Sequence, residues 1–479
     1  MQTKRDLLQA HRLMTHRASQ ALIFGEPDNP EQPLRRLNVG TFAGVMVGVL
    51  VAAGFGIAGL LLGGGTKGIT DGGVLLIEKE TGSRYVWCKS AGTKDGKALC
   101  PVANYASARL AVAGSSGDVN QKSVSAKTLS KFPRGPMIGI PGAPDTVPDK
   151  KRLVGGPWSV CVRQVDQGGV TKPVVSLVGG RNVGGRTLDA STGVVVSAGA
   201  TGNWLIWNNQ RMKMSPAGMT VLQASAATPV SSAFVNALPA GPDFAAPAIP
   251  GFGRPANLGG GLRGTIGQVY AVSSGAGGGA QPYVLLADGV APISRVQAAL
   301  IQSSAAYRMK HDMPLEAALV TSNRSAQKLI DGRLPQDAIK AATFNATDSL
   351  CVVYPDASKG GDRAKLTIGG ATDLPAPTGR STTGTGVDNV VLPPGSAVLA
   401  GVLPAGGSVS AINSYSFVSD DGRRYPLKSP DTAKALGYSI SADQNDSVPV
   451  PANLLNMVPQ GPVLDPQKAL LPVSGTTTG

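Results

Sequence analysis

Residues 41–62 read TFAGVMVGVLVAAGFGIAGLLL, 22 positions without a single charge. At the rise of an α-helix this stretch covers about 33 Å, enough to cross a hydrocarbon core about 30 Å thick. A core helix of a soluble protein rarely runs so far without a polar break. A cleaved signal peptide has an apolar centre of only about 7–15 residues behind a short charged lead. Here nearly forty residues precede the segment, and it exits into GGGTKG at 63–68. The sequence therefore predicts an uncleaved single-pass anchor.

The flanks of this segment orient it. Lys4, Arg5, Arg12, Arg17, Arg35 and Arg36 precede it, whereas the far side offers Lys67 offset by Asp71. Positive-inside bias places the N-terminus in the cytoplasm and exports the rest. Gly40, Gly44, Gly48, Ala52 and Gly56 recur at every fourth position. Such a small-residue stripe lets two helix backbones approach closely in lipid and predicts helix–helix packing. Gly54, Gly56 and Gly59 also spell GxGxxG, but with no preceding strand and lipid all around they do not form a dinucleotide loop. Upstream, Leu7, His11, Met14, Ala18 and Leu22 fall at helical spacing among basic residues. That pattern predicts an amphipathic helix against the inner leaflet or a cytoplasmic partner, broken by EPDNPEQP at 26–33.

Composition bounds what lies beyond the membrane. Hydrophobic residues make up 42% and charged residues 15%, so a large core is available. Glycine and proline number 63 and 36, fewer than a disordered low-complexity chain carries but enough to demand many turns. The net charge of +14 invites a nucleic-acid reading. The basic residues are scattered, however, and aromatics at 5% are too few for a stacking platform, so no nucleic-acid partner is expected. An anionic surface such as lipid headgroups or acidic wall polymer fits the charge better.

All four cysteines follow the membrane segment, on the side predicted to be oxidising. Four cysteines allow three pairings. Cys88 and Cys100 flank the turn-rich KSAGTKDGKAL and suit a hairpin staple, which leaves Cys161 for Cys351. No C-x-x-C is present and the chain has only three histidines, so a zinc site is not expected.

A pattern recurs through the exported part: a strand, a polar turn, a second short segment, then an Ala/Leu-rich run. It appears in GVLLIEKETGSRYVW with PVANYASARL from Pro101, in NWLIWNNQRMKMSPAGMTVLQ from Asn203, in PYVLLADGVAPISRVQAALI from Pro282 and in SYSFVSDDGRRYPLKSPDTAKALGY from Ser414. Asp288-Gly289 and Asp421-Gly422 are hairpin-turn pairs. The irregular spacing of the copies argues against a continuous solenoid.

The organisation expected is a cytoplasmic basic arm at 1–38, a membrane helix at 39–63 and a first repeat module at 64–130. A Pro/Gly linker with the first part of a central β domain occupies 131–200, and a second module 201–237. After a linker at 238–281 comes a third module with helices at 282–345. The second part of the central domain takes 346–412, a fourth module 413–447, and an extended Pro-rich arm 448–479. The strands SVCVRQV near Cys161 and LCVVYPD near Cys351 belong to the central sheet. The fold class is α+β, a single N-terminal transmembrane helix followed by a β-rich extracytoplasmic domain.

Several of these segments together resemble EccB, the single-span core subunit of the actinobacterial type VII (ESX) secretion system. The resemblance rests on NYASARL at 104–110 and on PRGP with GIPGAPD between Pro133 and Asp145. It also rests on YVLLADGVAPIS at 283–294, on RRYP at 423–426, and on Gly461-Pro462 with Leu464-Asp465-Pro466. It covers nearly the whole chain. It implies an elongated arrangement of modules around a central β domain, and exported domains that pack on one another. It also implies assembly with an FtsK/SpoIIIE-type ATPase, multi-span membrane subunits and a subtilisin-like protease. The Cys88/Cys100 pair lies outside the family signature, and the N-terminal tail lacks the aromatic-Arg-Arg pattern of mycobacterial members.

Motifs of catalysis are missing. The sequence contains no GxxxxGK[ST], no GxSxG and no HExxH. His311, the only histidine beyond the membrane segment, is expected on a solvated helix end, and Asp420-Asp421-Gly422 is expected to be a turn. No catalytic residue, cofactor or metal is expected. The function expected is a non-catalytic structural subunit for protein export, with an independent wall-binding anchor as the alternative.

Overall fold

Two helices make up the N-terminal part of the computed structural model, Lys4–Phe24 and Pro33–Leu62. The structure describes residues 3–25, 33–62, 68–70, 73–90, 92–93, 95–112, 119–224, 227–273, 279–309, 311, 313–342, 348–359, 363–375, 386–404, 406–441 and 443–473. The chain divides into two units, Met1–Thr70 and Asp71–Gly479. In the first, Thr3 and Asp6 form a capping box, and Gly25, at φ 70°, closes the helix by donating its N–H to the Ala21 carbonyl. Leu7, Met14 and Leu22 are exposed along it. The second helix is long and apolar enough over Leu37–Ile57 to cross a membrane. The break expected at 26–33, apart from Pro33, and the exit at 63–67 lie outside the described residues, as does Asp71.

The second unit is built on a six-stranded sheet. Its order is Asn389–Val391, Val170–Gly179, Trp158–Gln167, Leu350–Tyr354, Lys365–Ile368, Arg186–Thr187. The strand holding Cys161 lies beside the strand holding Cys351, antiparallel. Side chains alternate across the pleat. Val160, Val162, Val352 and Tyr354 enter the main core, whereas Cys161, Cys351 and Val353 pack on the opposite face with Ala371 and Leu374.

Around this sheet one module occurs four times. Three strands run antiparallel in succession, a helix follows, a fourth strand returns parallel to the first, and a second helix ends the copy. In the first copy the strands are Val74–Glu78, Arg84–Lys89, Lys97–Pro101 and Asn120–Val124. In the second they are Thr192–Ser197, Asn203–Trp207, Gln210–Lys213 and Thr228–Pro229. The third uses Val269–Val272, Gln281–Leu286, Gly289–Pro292 and Met313–Pro314. The fourth uses Ala397–Leu403, Tyr415–Ser419, Arg424–Pro426 and Val448–Pro451. Each sheet has the order third, second, first, fourth.

These limits correct the expected domain boundaries. The first strand of copies two and four comes from stretches assigned to the central domain, and that of copy three from the supposed linker 238–281. The described part of the expected arm at 448–479, residues 448–473, is not separate. Val448–Pro451 is the fourth strand of the last module, the helix Ala452–Leu455 follows, and Pro466–Ala469 packs on helix Tyr105–Val112 of the first module. The first strand of each module lies between the second, reached through a connection longer than a two-residue turn, and the fourth, a parallel partner beyond a helix, so no tight-turn signal marks it. The hairpin turn in the third module is also shifted by one residue. Leu286 faces Gly289, so Ala287 and Asp288 form the turn.

Three Pro-rich stretches continue the modules instead of linking them. PRGPMI at 133–138, PAGPDF at 239–244 and PQGPVL at 459–464 share the pattern P-x-G-P-x-apolar. Each runs parallel to the third strand of its module. Pro133, Pro239 and Pro459 accept from the N–H of Leu99, Arg211 and Arg424, and Gly135, Gly241 and Gly461 donate back to those same residues. The second proline needs no N–H because only alternate groups face the sheet edge. Asn323 and Ser325 make the equivalent bonds to Val290 in the third module. The glycine has a steric reason as well. A Cβ on Gly135 would lie 2.5 Å from Cys100 Sγ and 3.0 Å from Cys88 Sγ. At Gly241 it would meet Met212 Cγ at 3.2 Å, and at Gly461 it would collide with the Tyr425 ring. The disulfide thus occupies the place that Met212 and Tyr425 fill in sister modules.

The cores join the modules in a fixed order. Ala106, Leu110 and Ile140 of the first module share a core with Leu399, Phe417 and Leu436 of the fourth. Val398, Val418 and Val450 of the fourth and Val194, Ile206 and Phe234 of the second join the central sheet. Leu205, Met212 and Phe244 of the second pack with Val296 and Leu300 of the third. The contact recurs in kind: the helix after the third strand packs on its counterpart, Tyr105–Val112 on Pro430–Ala435 and Pro216–Val221 on Arg295–Ser303.

Candidate assembly site

The membrane helix presents its small residues without obstruction. An added Cβ at Gly40, Gly44, Gly48 or Gly56 would meet nothing within 4 Å. With Ala52 these positions wind along the helix as a strip where another helix can approach to backbone contact. The helix over Leu37–Ile57 is unburied within its own unit.

Two covalent staples hold the second unit. Cys161 faces Cys351 directly across the central sheet, with Cα atoms 4.0 Å apart and a sequence separation of 190. The enclosed chain carries all of the second and third modules. Cys88 and Cys100 sit on neighbouring strands of the first module, Cα atoms 5.9 Å apart and separated by 12 residues. Cys161, Cys351 and Cys100 are fully buried.

Polar side chains elsewhere hold backbone in place. Asp421 accepts from the Arg423 N–H at 3.0 Å and from the Tyr425 hydroxyl, while Asp420 accepts from the Gly395 N–H at 2.7 Å. Gly422 supplies the positive φ of 79° that this turn requires. Asp288 accepts from the Ser325 hydroxyl and the Ala326 N–H. His311 differs from the expectation of a solvated helix end. It is half-buried in a loop, where Nε2 donates to the Tyr307 carbonyl at 3.0 Å and Nδ1 accepts from the Val269 N–H at 3.4 Å. Burial pushes the Tyr438 phenol well above its usual pKa, with the Arg109 charge pulling the other way, and its hydroxyl donates to the Pro148 carbonyl at 2.6 Å. Among the described residues no group of three or more His, Cys, Asp or Glu could hold a metal ion.

A family model described as "Type VII secretion system ESX-1, transport TM domain B" matches residues 1–477. The chain belongs to this family, EccB. Among curated EccB proteins, the ESX-3 secretion system ATPase EccB3 of Mycolicibacterium smegmatis is 27% identical over 93% of this chain and 86% of its own length. The ESX-1 secretion system ATPase EccB1 of the same species is also 27% identical, over 96% and 93%. Among solved structures, the EccB3 dimer from the ESX-3 core complex aligns with a TM-score of 0.60 at 26% identity, covering 83% of this chain and 99% of that one. A chain of the intact ESX-5 inner membrane complex aligns with a TM-score of 0.64 over all of this chain and 97% of that chain. At 23% identity it speaks for the fold alone. This chain is thus a membrane protein of the EccB family with an α+β fold, and its relative EccB3 is found as a dimer in the ESX-3 core complex. The relatives carry "ATPase" in their names, whereas this sequence has no phosphate-binding GxxxxGK[ST] loop.

The signal that sequence reading missed is P-x-G-P-x-apolar. It is visible as three matching hexapeptides, each shortly after a module's second helix.

Proposed function

We propose that this chain is a non-catalytic structural subunit of a type VII secretion membrane complex, anchoring and organising its extracytoplasmic side. Arg35 and Arg36 beside the membrane segment support a cytoplasmic N-terminus, with the bulk of the chain exported. The reading rests chiefly on the fourfold module. Four copies of one sheet-and-helix unit share cores with a disulfide-joined central sheet, and the conspicuous carboxylates serve as turn and backbone acceptors. A surface built from repeats suits binding several neighbours, not one small substrate. The partners proposed are an FtsK/SpoIIIE-type ATPase, multi-span membrane subunits and further copies of this chain. The strip Gly40, Gly44, Gly48, Ala52 and Gly56 is proposed as the helix–helix contact, and no cofactor is required.

The test is the chain lacking residues 1–65, purified and supplied with ATP and magnesium. The expected result is a folded soluble protein whose phosphate release matches the blank. Turnover at an enzyme-like rate that survives repurification would overturn the non-catalytic reading.

A further inference from the structure

Beyond Thr70, six large apolar side chains are exposed among the described residues, and three of them meet in one place. Met137 is 49% exposed, Leu470 50% and Leu471 58%. They are neighbours because the chain end returns along the first module: Gly139 N–H donates to the Leu471 carbonyl, and Val473 N–H to the Met137 carbonyl. The other three are far apart in the sequence: Val170 begins a strand of the central sheet, Ile330 lies in a loop and Val409 in a short 3-10 turn.

Cations crowd the adjoining sheet face. Lys89 and Lys97 are directly opposite one another on neighbouring strands, a pairing of like charges that works against the sheet. On the same pleat face, Trp87 meets the Phe132 ring edge-on at 5.2 Å, and Arg134 lies 4.6 Å over the Tyr85 ring. Lys127 lies in the short helix Ala126–Leu129 that leads to Phe132, and Lys131 follows it. Among the described residues, none of Lys89, Lys97, Lys127, Lys131 and Arg134 is held in an ion pair. Asp95 sits in the intervening turn, and Glu80 accepts from the Ala126 N–H instead of neutralising a lysine.

We propose that this face of the first module docks on the anionic headgroups of the membrane in which the chain is anchored. Lysines supply the attraction, the Trp87–Phe132 pair has the amphipathic character of interfacial aromatics, and Met137, Leu470 and Leu471 reach the acyl boundary. The charge argues against a second copy on this face, since a twofold contact would set lysine against lysine. The exposed aliphatic cluster argues against a hydrophilic wall polymer. Connectivity brings the bilayer within reach. The membrane helix ends at Leu62 and the first strand begins at Val74, a tether of at most about 40 Å fully extended. Which leaflet is touched follows from the orientation proposed above; contact itself does not.

The test uses the full chain, one copy per nanodisc, in phosphatidylcholine alone or with phosphatidylglycerol added. Because the two leaflets of a nanodisc are alike, it reads contact independently of orientation. Lysine acetylation is followed site by site by mass spectrometry. One lysine engaged with an anionic surface is worth roughly fivefold in affinity. Labelling of Lys89, Lys97 and Lys131 should therefore slow at least about fivefold in the anionic discs and recover as salt rises. Lys213 of the second module and Lys365 of the central sheet should label equally in both. K89E/K97E should abolish the lipid dependence at Lys131, with unchanged tryptophan emission reporting an intact fold. Equal labelling of the native chain in both lipids would overturn the proposal. So would protection that appears only with two copies per disc, or only on adding purified wall polymer.

Discussion

Replacing Cys161 and Cys351 together with alanine should destabilise this protein more than replacing Cys88 and Cys100, by an amount set by loop length. The first pair closes a separation of 190 residues and the second one of 12. In the chain-entropy model these correspond to about 5 and about 3 kcal/mol, a difference of about 2 kcal/mol. Both pairs are buried, so the loss from exchanging cysteine for alanine in a packed site enters both variants and largely cancels in the comparison. The assay is urea unfolding of the chain lacking residues 1–65, followed by tryptophan fluorescence. Trp158 lies on the strand of Cys161, and Trp87 on that of Cys88, so each variant has a reporter beside its lesion. Equal losses, or a larger loss for the Cys88/Cys100 pair, would refute the argument that the long disulfide acts by closing the chain around the second and third modules.

Tyr438 should make stability fall at alkaline pH. Its folded-state pKa is raised above the unfolded value, so the stabilisation is complete below the ordinary tyrosine range near pH 10 and is lost as pH rises beyond it. Y438F should remove that part of the alkaline decline, and by stranding the Pro148 carbonyl should lower stability at neutral pH by about 1–3 kcal/mol; thermal melts at stepped pH check both. G135A should place a methyl group against the Cys88–Cys100 sulfurs and lower stability by about 1–3 kcal/mol, whereas G332A, where the backbone is not left-handed and an added Cβ meets nothing within 4 Å, should lose less; thermal unfolding checks the order. G44L/G48L should leave the melting of the second unit unchanged and weaken self-association in detergent, read by analytical ultracentrifugation.

What the sequence discloses depends on how local the signal is. The membrane helix is legible because 41–62 is a continuous apolar run, and the second and third strands of each module because they form hairpins with turn residues such as Asp421-Gly422. The first strands are hidden for the opposite reason. Thr192–Ser197, Val269–Val272 and Ala397–Leu403 do pair antiparallel with the strands that follow them, but across 198–202, 273–280 and 404–414, connections too long to carry a two-residue turn signal, and their other partner lies beyond a helix. The segments at 133–138, 239–244 and 459–464 read as linkers because proline weighs against a strand, yet one hydrogen-bonding edge suffices and the prolines contribute their carbonyls. His311 looked solvated because its flanks are polar; the two backbone bonds it makes come from Tyr307, four residues earlier, and from Val269 on a strand far upstream.

Extraction of a C-terminally tagged copy from its native membrane in mild detergent, run on a native gel with mass spectrometry of the bands, tests the central claim most directly. The account predicts that the 48.6 kDa chain migrates in an assembly many times its own mass that contains an FtsK-like ATPase and a multi-span subunit. Migration at the mass of a monomer or dimer, without those partners, would contradict it and favour an independent wall-facing anchor.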